Sequence, residues 1–199
     1  MPKIDCLISK GRSYRLFFRS FALMGLLLSL GLHPAKAEDR TAAQDHPTQG
    51  ADWEKYATPK ADKILVYKSE RKMELLRGDT VLRTYHIALG HHPSGKKTQA
   101  GDGRTPEGSY TIDRRKILSD YHLALHISYP DAYDMRQAAA KGIQPGGGIM
   151  IHGQPNYMTP AERARLGTDW TAGCIALTNP EIDEVWRLVD DGTTVDIYP

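Results

Sequence analysis

The chain has 199 residues, two cysteines, and 26 Lys and Arg against 24 Asp and Glu. Six of those bases and one acid fall in the first 37 residues, so the remainder carries 20 bases and 23 acids, a net charge of −3. The sequence pI near 8.5 therefore belongs largely to the N-terminal segment, and the rest offers no basic surface for nucleic acid.

Residues 1–19 carry Lys3, Lys10, Arg12, Arg15 and Arg19 against the single acid Asp5. An apolar stretch from Phe21 through Leu32 follows and closes at Ala35-Lys36-Ala37, a small-x-small pattern. This is the order of a secretory signal peptide, and the apolar run is short of the ~20 residues a spanning helix needs. The expectation is a cleaved signal over residues 1–37 and a periplasmic protein, with an uncleaved inner-membrane anchor as the alternative. Cys6 precedes the apolar run and is not placed to become a lipidated N-terminus. Residues 38–59 are polar and lack sustained periodicity, which reads as a flexible linker; Trp53 and Tyr56 offer it a means of docking. Residues 60–199 then suffice for one domain around one core.

The first half of that domain speaks strand. Lys63 to Tyr67, Met73 to Arg77 and Val81 to Leu89 are apolar or partly alternating runs, the last two joined by Gly78-Asp79. Such tight Gly/Asp turns between strands predict a β-meander. Gly90 to Gly103 is a Gly-, Lys- and His-rich loop, and Gly108 to Ile112 and Leu123 to Ile127 read as further strands. Helix signals come later. Ala132 to Lys141 is Ala-rich and closes at Gly142. Thr159-Pro160-Ala161-Glu162 places an N-cap, a Pro at the first helical position and an acid in the first turn. Asn179-Pro180-Glu181 predicts the same with Asn179 as N-cap, followed by Val185, Trp186, Leu188 and Val189 at helical spacing, with Gly192 ending the helix. Val195 to Tyr198 is a terminal strand. The fold class is mainly β with short helices, largely antiparallel and without the strand–helix alternation of a parallel sheet.

Once a leader is removed, Cys174 is the single thiol. An unpaired cysteine in an oxidising compartment is either an inert buried hydrophobe or a reactive thiol. It follows Gly173, a turn residue, and opens the apolar run Cys174-Ile175-Ala176-Leu177. His152 ends another short apolar run after the Gly146-Gly147-Gly148 loop. Adjacent strands would bring both side chains to one sheet edge. A thiol needs a base to form thiolate near neutral pH, and the chemistry such a pair permits is acyl transfer. Backbone amides of Ala172, Gly173 and Cys174 are candidate oxyanion donors. On spacing alone, a buried cysteine and a core histidine explain the pair as well.

The pattern His152-Gly153, a spacer, then Thr171-Ala172-Gly173-Cys174-Ile175 resembles the L,D-transpeptidase catalytic domain (YkuD) family. The block Gly101-Asp102-Gly103-Arg104-Thr105-Pro106-Glu107-Gly108-Ser109-Tyr110 is similar to that family's Thr-Pro-x-Gly-x-Tyr/Phe segment. The resemblance runs from about Asp62 to Tyr198. It implies a β-rich mixed sandwich acting on peptidoglycan stem peptides, with Cys174 as nucleophile, His152 as base and acid, and no metal or organic cofactor. The implied acyl acceptor is the amine of a diamino acid, a lipoprotein lysine, a free D-amino acid or water. The last would make the protein an L,D-endopeptidase or carboxypeptidase, or an amidase that releases lipoprotein, using the same thiol. Many members have His before the Gly-Cys pair and Arg two residues after the Cys, where this chain has Ala172 and Ala176. A noncatalytic wall-binding module that kept the fold is the reading from another class.

Other residues divide between chemistry and structure. Gly153 and Thr171 flank the candidate pair, and Trp170 either walls a cleft beside Cys174 or packs in the core. His126 touches substrate or is a hydrogen-bonded imidazole. Arg104 binds a stem carboxylate or is a solvated loop cation. Asp169 orients an imidazole or solvates a turn, and Tyr129 packs. His91-His92 resembles a fragment of a metal site, but no HExxH or CxxC accompanies it, so no metal is expected.

Overall fold

The computed structural model describes residues 58–199; the signal-peptide reading, Cys6, Trp53, Tyr56 and nearly all of the linker reading lie outside them. Eight strands and three helices follow one another as β1 (Ala61–Tyr67), β2 (Lys72–Arg77), β3 (Thr80–His86), β4 (Gly108–Ser119), β5 (His122–Ile127), α1 (Ala132–Ala140), β6 (Met150–His152), α2 (Pro160–Arg163), β7 (Ile175–Ala176), α3 (Asn179–Leu188) and β8 (Val189–Tyr198). The strands form one sheet in the order β3-β2-β1-β8-β4-β5-β6-β7. The expected meander is present as antiparallel β1–β2–β3. Two neighbours pair in parallel, β1 with β8 and β6 with β7, because each returns to the sheet from a distant part of the chain rather than through a hairpin. No helix among the described residues is long and apolar enough to cross a membrane.

The buried residues explain the strand pattern. Ile64 and Val66, Met73 and Leu75, Leu125 and Ile127, and Val195 and Ile197 alternate into a common core, as a period of two requires. Ile182, Val185 and Leu188 recur at helical spacing on α3 and bury the same core from one side.

Four expectations are corrected. β3 stops at His86, and the chain beyond it peels away so that Ala88 bridges Ala176 and Gly90 bridges Thr171; the stretch read as the end of one strand thus reaches the other edge of the sheet. β4 runs well past Ile112, pairing first with β8 and then with β5. Its charged residues masked it, yet Arg115 lies over the Trp186 ring at 4.2 Å and covers apolar surface with its stem. The N-cap of α3 is Thr178 rather than Asn179: Glu181 Oε2 accepts from Thr178 N and Oγ1 at 2.9 and 2.6 Å. The Asn179 amide oxygen instead accepts from Gln154 N at 2.7 Å. Gly192 does not end α3. The helix gives way to extended backbone at Val189, and Gly192, with φ +90°, lies inside β8 where the register with β1 shifts between Ala61 and Lys63. A glycine that accepts positive φ is what such a bulge requires.

Candidate active site

β6 and β7 bring the two candidate residues together. Their parallel register sets Ile151 abreast of Ile175 and His152 abreast of Ala176. Cys174 stands in the turn immediately before β7, two residues before Ala176, which shares a face with His152. On that face, antiparallel pairing with β5 sets Ala124 opposite His152 and His126 opposite Met150. Ile151 and Ile175 point into the core and anchor both strands. Cys174 and His152 are 3% and 4% exposed.

His152 is held by its own neighbour. Nδ1 lies 2.6 Å from the Gly153 carbonyl oxygen; a carbonyl only accepts, so Nδ1 carries the proton and Nε2 keeps the lone pair. A backbone carbonyl, not an acid, therefore fixes the tautomer. Burial pushes the imidazole down from 6.5 to about 4, partly opposed by the Gly153 hydrogen bond. A neutral ring with an Nε2 lone pair is able to take a thiol proton. Tyr121 packs on the ring at 4.7 Å and Trp170 meets it edge-on at 5.7 Å.

The turn before Cys174 is fixed by Thr171, whose Oγ1 donates to Cys174 O at 2.7 Å and accepts from Gly173 N at 3.1 Å. Gly173's N–H is thereby engaged inside the turn. Gly173 has φ +132°, and a Cβ there would sit 2.6 Å from the Arg104 carbonyl oxygen. Gly153 likewise permits close approach, because its Cβ would meet Asn179 Oδ1 at 2.7 Å. Cys174 Sγ lies 3.8 Å from Gly148 O, which brings the glycine loop to the thiol. Ala172 is exposed at the rim.

The Thr-Pro block supports this turn from below. Thr105 is fully buried and its Oγ1 accepts from Gly90 N at 3.2 Å. Buried Lys68 donates to Gly95 O, Thr105 O and Glu107 Oε1 at 2.7, 3.1 and 2.7 Å, tying the end of β1 to the loop. Arg104 brings its backbone against Gly173 while its guanidinium lies beside Gly95.

The remaining expectations sort as follows. His126 shares the face of His152, and its Nδ1 is 2.5 Å from Asp113 Oδ1. Trp170 meets the His152 ring and also lines a cleft with Ala176 and Gln154. Tyr129 packs, its hydroxyl donating to Pro145 O at 2.9 Å. Asp169 does not orient an imidazole: it forms a two-bond pair with Arg71. His91 and His92 point their Nδ1 atoms at the carbonyls of Thr171 and Asp102, at 3.0 and 2.9 Å, and no cluster of three or more metal-ligating side chains occurs among the described residues. Sequence reading missed Tyr121 and Arg71. Neither belongs to a motif, and each reaches the site only through tertiary packing.

The profile of the L,D-transpeptidase catalytic domain (YkuD) matches residues 61–197. This chain belongs to that family. It is 31% identical over 149 residues, 68% of the chain, to the "Putative L,D-transpeptidase YafK" of Escherichia coli (strain K12), and covers 53% of that protein. The chain thus spans about half the length of the curated relatives it matches. Among solved structures, the helical cell shape determining protein Pgp2 of Campylobacter jejuni superposes with a TM-score of 0.55 at 26% identity, over 70% of this chain and 48% of that one. Both candidate motifs and the Thr-Pro block lie within the matched span, and the family acts on peptidoglycan peptides.

Proposed function

We propose that this protein is an exported cysteine acyltransferase acting on peptidoglycan stem peptides. The observation that carries the reading is the neutral, buried His152, its Nδ1–H held by Gly153 O, on the strand paired with the one that Cys174 leads into. In the proposed reaction, His152 Nε2 takes the Sγ proton and the thiolate attacks the carbonyl carbon of the bond between an L- and a D-centre. The carbonyl π electrons move to oxygen. Backbone amides of the Ala172–Cys174 turn are the donors proposed for that oxyanion, apart from Gly173's N–H, which is given to Thr171 Oγ1. Collapse breaks the C–N bond, and the departing amine collects the proton from His152. The thioester is then attacked by an acceptor amine, which loses its proton to His152 and restores the thiol. Export of the domain is supported by the leader pattern of residues 1–37.

Hydrolysis is the second reading. Alanines at 172 and 176 take the places of a bulkier imidazole and a guanidinium, so neither side chain offers a polar group to hold an amine acceptor in preference to water. A lipoprotein lysine would be a larger amine for the same step.

Incubation with a carbapenem tests the chemistry. The expected result is a single adduct on Cys174 by intact mass, absent in Cys174→Ala and slowed in His152→Ala; no adduct on the reduced wild type would leave only the noncatalytic wall-binding reading. Purified tetrapeptide muropeptides then separate transfer from hydrolysis. Crosslinked dimers mark an amine acceptor, tripeptides alone mark water, and products persisting in both variants would remove the assigned roles.

A further inference from the structure

We propose that Arg163 binds the free carboxylate of the residue that leaves when Cys174 is acylated, an inference that rests on the acyl-transfer reading above. A cleft of about 190 Å³ opens beside the site, walled by Trp170, Ala88, Ala176, Leu177, Gln154 and Arg163. Its position follows from register. Moving along β7 from Cys174, the chain reaches Ala176, abreast of His152, and then the cleft continues along Leu177 and Thr178. His152 is therefore abreast of one cleft wall, Ala176, and its ring meets another, Trp170, at 5.7 Å.

The leaving amine must lie against His152, because that imidazole supplies its proton. The α-carbon and carboxylate of the leaving residue are one and two bonds beyond the nitrogen, and the cleft adjoins His152 through Ala176 and Trp170. Arg163 is the only Lys, Arg, Asp or Glu among the described residues that line it. No carboxylate on the cleft wall competes for the guanidinium, and no ion pair among the described residues engages it. Arg163 Nε donates to Pro155 O at 3.1 Å, and its carbonyl accepts from Gln154 Nε2 at 3.4 Å. The side chain is thus braced at Nε, which leaves the Nη edge of a planar fork for a carboxylate. Trp170 and Leu177 supply apolar lining to the same cleft. Arg163 escapes a sequence reading because it stands on α2, away from either motif, and enters the cleft only through the fold.

The test uses Cys174→Ala, which cannot form a thioester, and a tetrapeptide stem ending in D-alanine, as the free acid and as the C-terminal carboxamide. Calorimetric titration should show the acid binding roughly 10- to 100-fold more tightly than the amide, the range of a charge-assisted pair. Adding Arg163→Gln should bring the acid down to the amide's affinity and leave the amide unchanged, and Arg163→Lys should recover part of the difference. An acid preference of the same size in Arg163→Gln overturns the assignment, as does the absence of any preference, or of binding, in the parent. Thermal unfolding of the Arg163 variants checks that the fold is retained, and a structural role would weaken acid and amide alike. Carbapenem acylation of the unsubstituted protein separates the two readings. A protein that is not acylated but prefers the acid through Arg163 keeps the carboxylate site and loses the chemistry; one that is acylated without the preference keeps the chemistry and loses the site.

Discussion

Arg71 and Asp169 meet through two bonds, Nε to Oδ1 at 2.9 Å and Nη2 to Oδ2 at 2.7 Å. Arg71 sits on the turn between β1 and β2 with φ +53° and also donates through Nη1 to Lys68 O. Asp169 Oδ1 accepts in addition from Leu89 N at 3.3 Å. Asp169 immediately precedes Trp170 and the turn that delivers Cys174, so the pair fastens that turn to the far side of the sheet. The guanidinium fork is the reason for arginine: lysine supplies the charge without the two parallel bonds. Arg71→Lys is expected to lower unfolding stability by about 1–2 kcal/mol and to slow carbapenem acylation of Cys174 without abolishing it. A double-mutant cycle of Arg71→Ala with Asp169→Ala should give a coupling of about 1 kcal/mol or more. A coupling near zero would show that the two ends of the clamp act independently.

The parts of this architecture that were legible in the sequence are those encoded locally. Alternation at Ile64 and Val66, helical spacing at Ile182, Val185 and Leu188, and the capped start at Thr159 each state their outcome within a few residues. Cys174 and His152 are singled out for a different reason: an unpaired thiol after glycine and a His-Gly after an apolar run are unusual enough to read together, and what the fold bears out is the pairing of β6 with β7. What was not legible depends on contacts between distant segments. Nothing near Asp169 announces that Arg71 will claim it, and nothing near Tyr121 announces that it will pack on His152. Gly192 misled because a glycine after a helical pattern is the usual stop, whereas here its positive φ serves a bulge in β8. Thr178 displaced Asn179 as N-cap because the asparagine oxygen was needed by Gln154.

Gly173 separates two costs that a glycine can hide. A Cβ there would stand 2.6 Å from the Arg104 carbonyl in a backbone with φ +132°, whereas at Gly192, with φ +90°, a Cβ would meet nothing within 4 Å. Gly192→Ala should therefore show backbone strain alone, about 1 kcal/mol of stability. Gly173→Ala adds displacement of the Arg104 loop and should cost about 3 kcal/mol. It should also abolish acylation at temperatures where the protein remains folded, because the turn before Cys174 must move. Chemical denaturation and intact mass measure the two effects. Equal stability losses at the two positions would mean that the Arg104 loop yields freely.

Trp170 and Tyr121 keep water from His152, at 5.7 and 4.7 Å between ring centres. Desolvation is the main cause of the low imidazole pKa, so opening one wall should raise it. In Trp170→Ala the His152 ring should titrate above its native value of about 4 and closer to 6.5, followed by NMR of the ring protons. Trp170→Phe retains an apolar edge and should hold the value down. Titration unchanged in Trp170→Ala would place the desolvating contact elsewhere, with Tyr121 as the next residue to replace.

The same burial links His152 to acid stability, and the sign follows from the two protonation states. The unfolded chain binds a proton at this histidine near pH 6.5, while the folded protein resists protonation down to about 4. Between those values the unfolded state holds more protons, so stability falls as pH falls through that window and is constant from this source above it. The full effect is on the order of 3 kcal/mol, with a slope of at most about 1.4 kcal/mol per pH unit. Glu184 and Glu162 are held below the usual carboxylate value, Glu184 by its hydrogen bond from Arg83 and Glu162 by its bonds from Thr159. Their losses therefore begin mainly below about pH 4.5, at the lower end of the histidine window. His152→Asn removes the titrating ring. Denaturation of wild type and His152→Asn from pH 7.5 to 4.5 should therefore give stability differences that change steadily below 6.5, with the wild type losing more. Parallel curves across that range would mean that His152 is protonated as easily folded as unfolded, and the neutral-base role proposed for it would go with them.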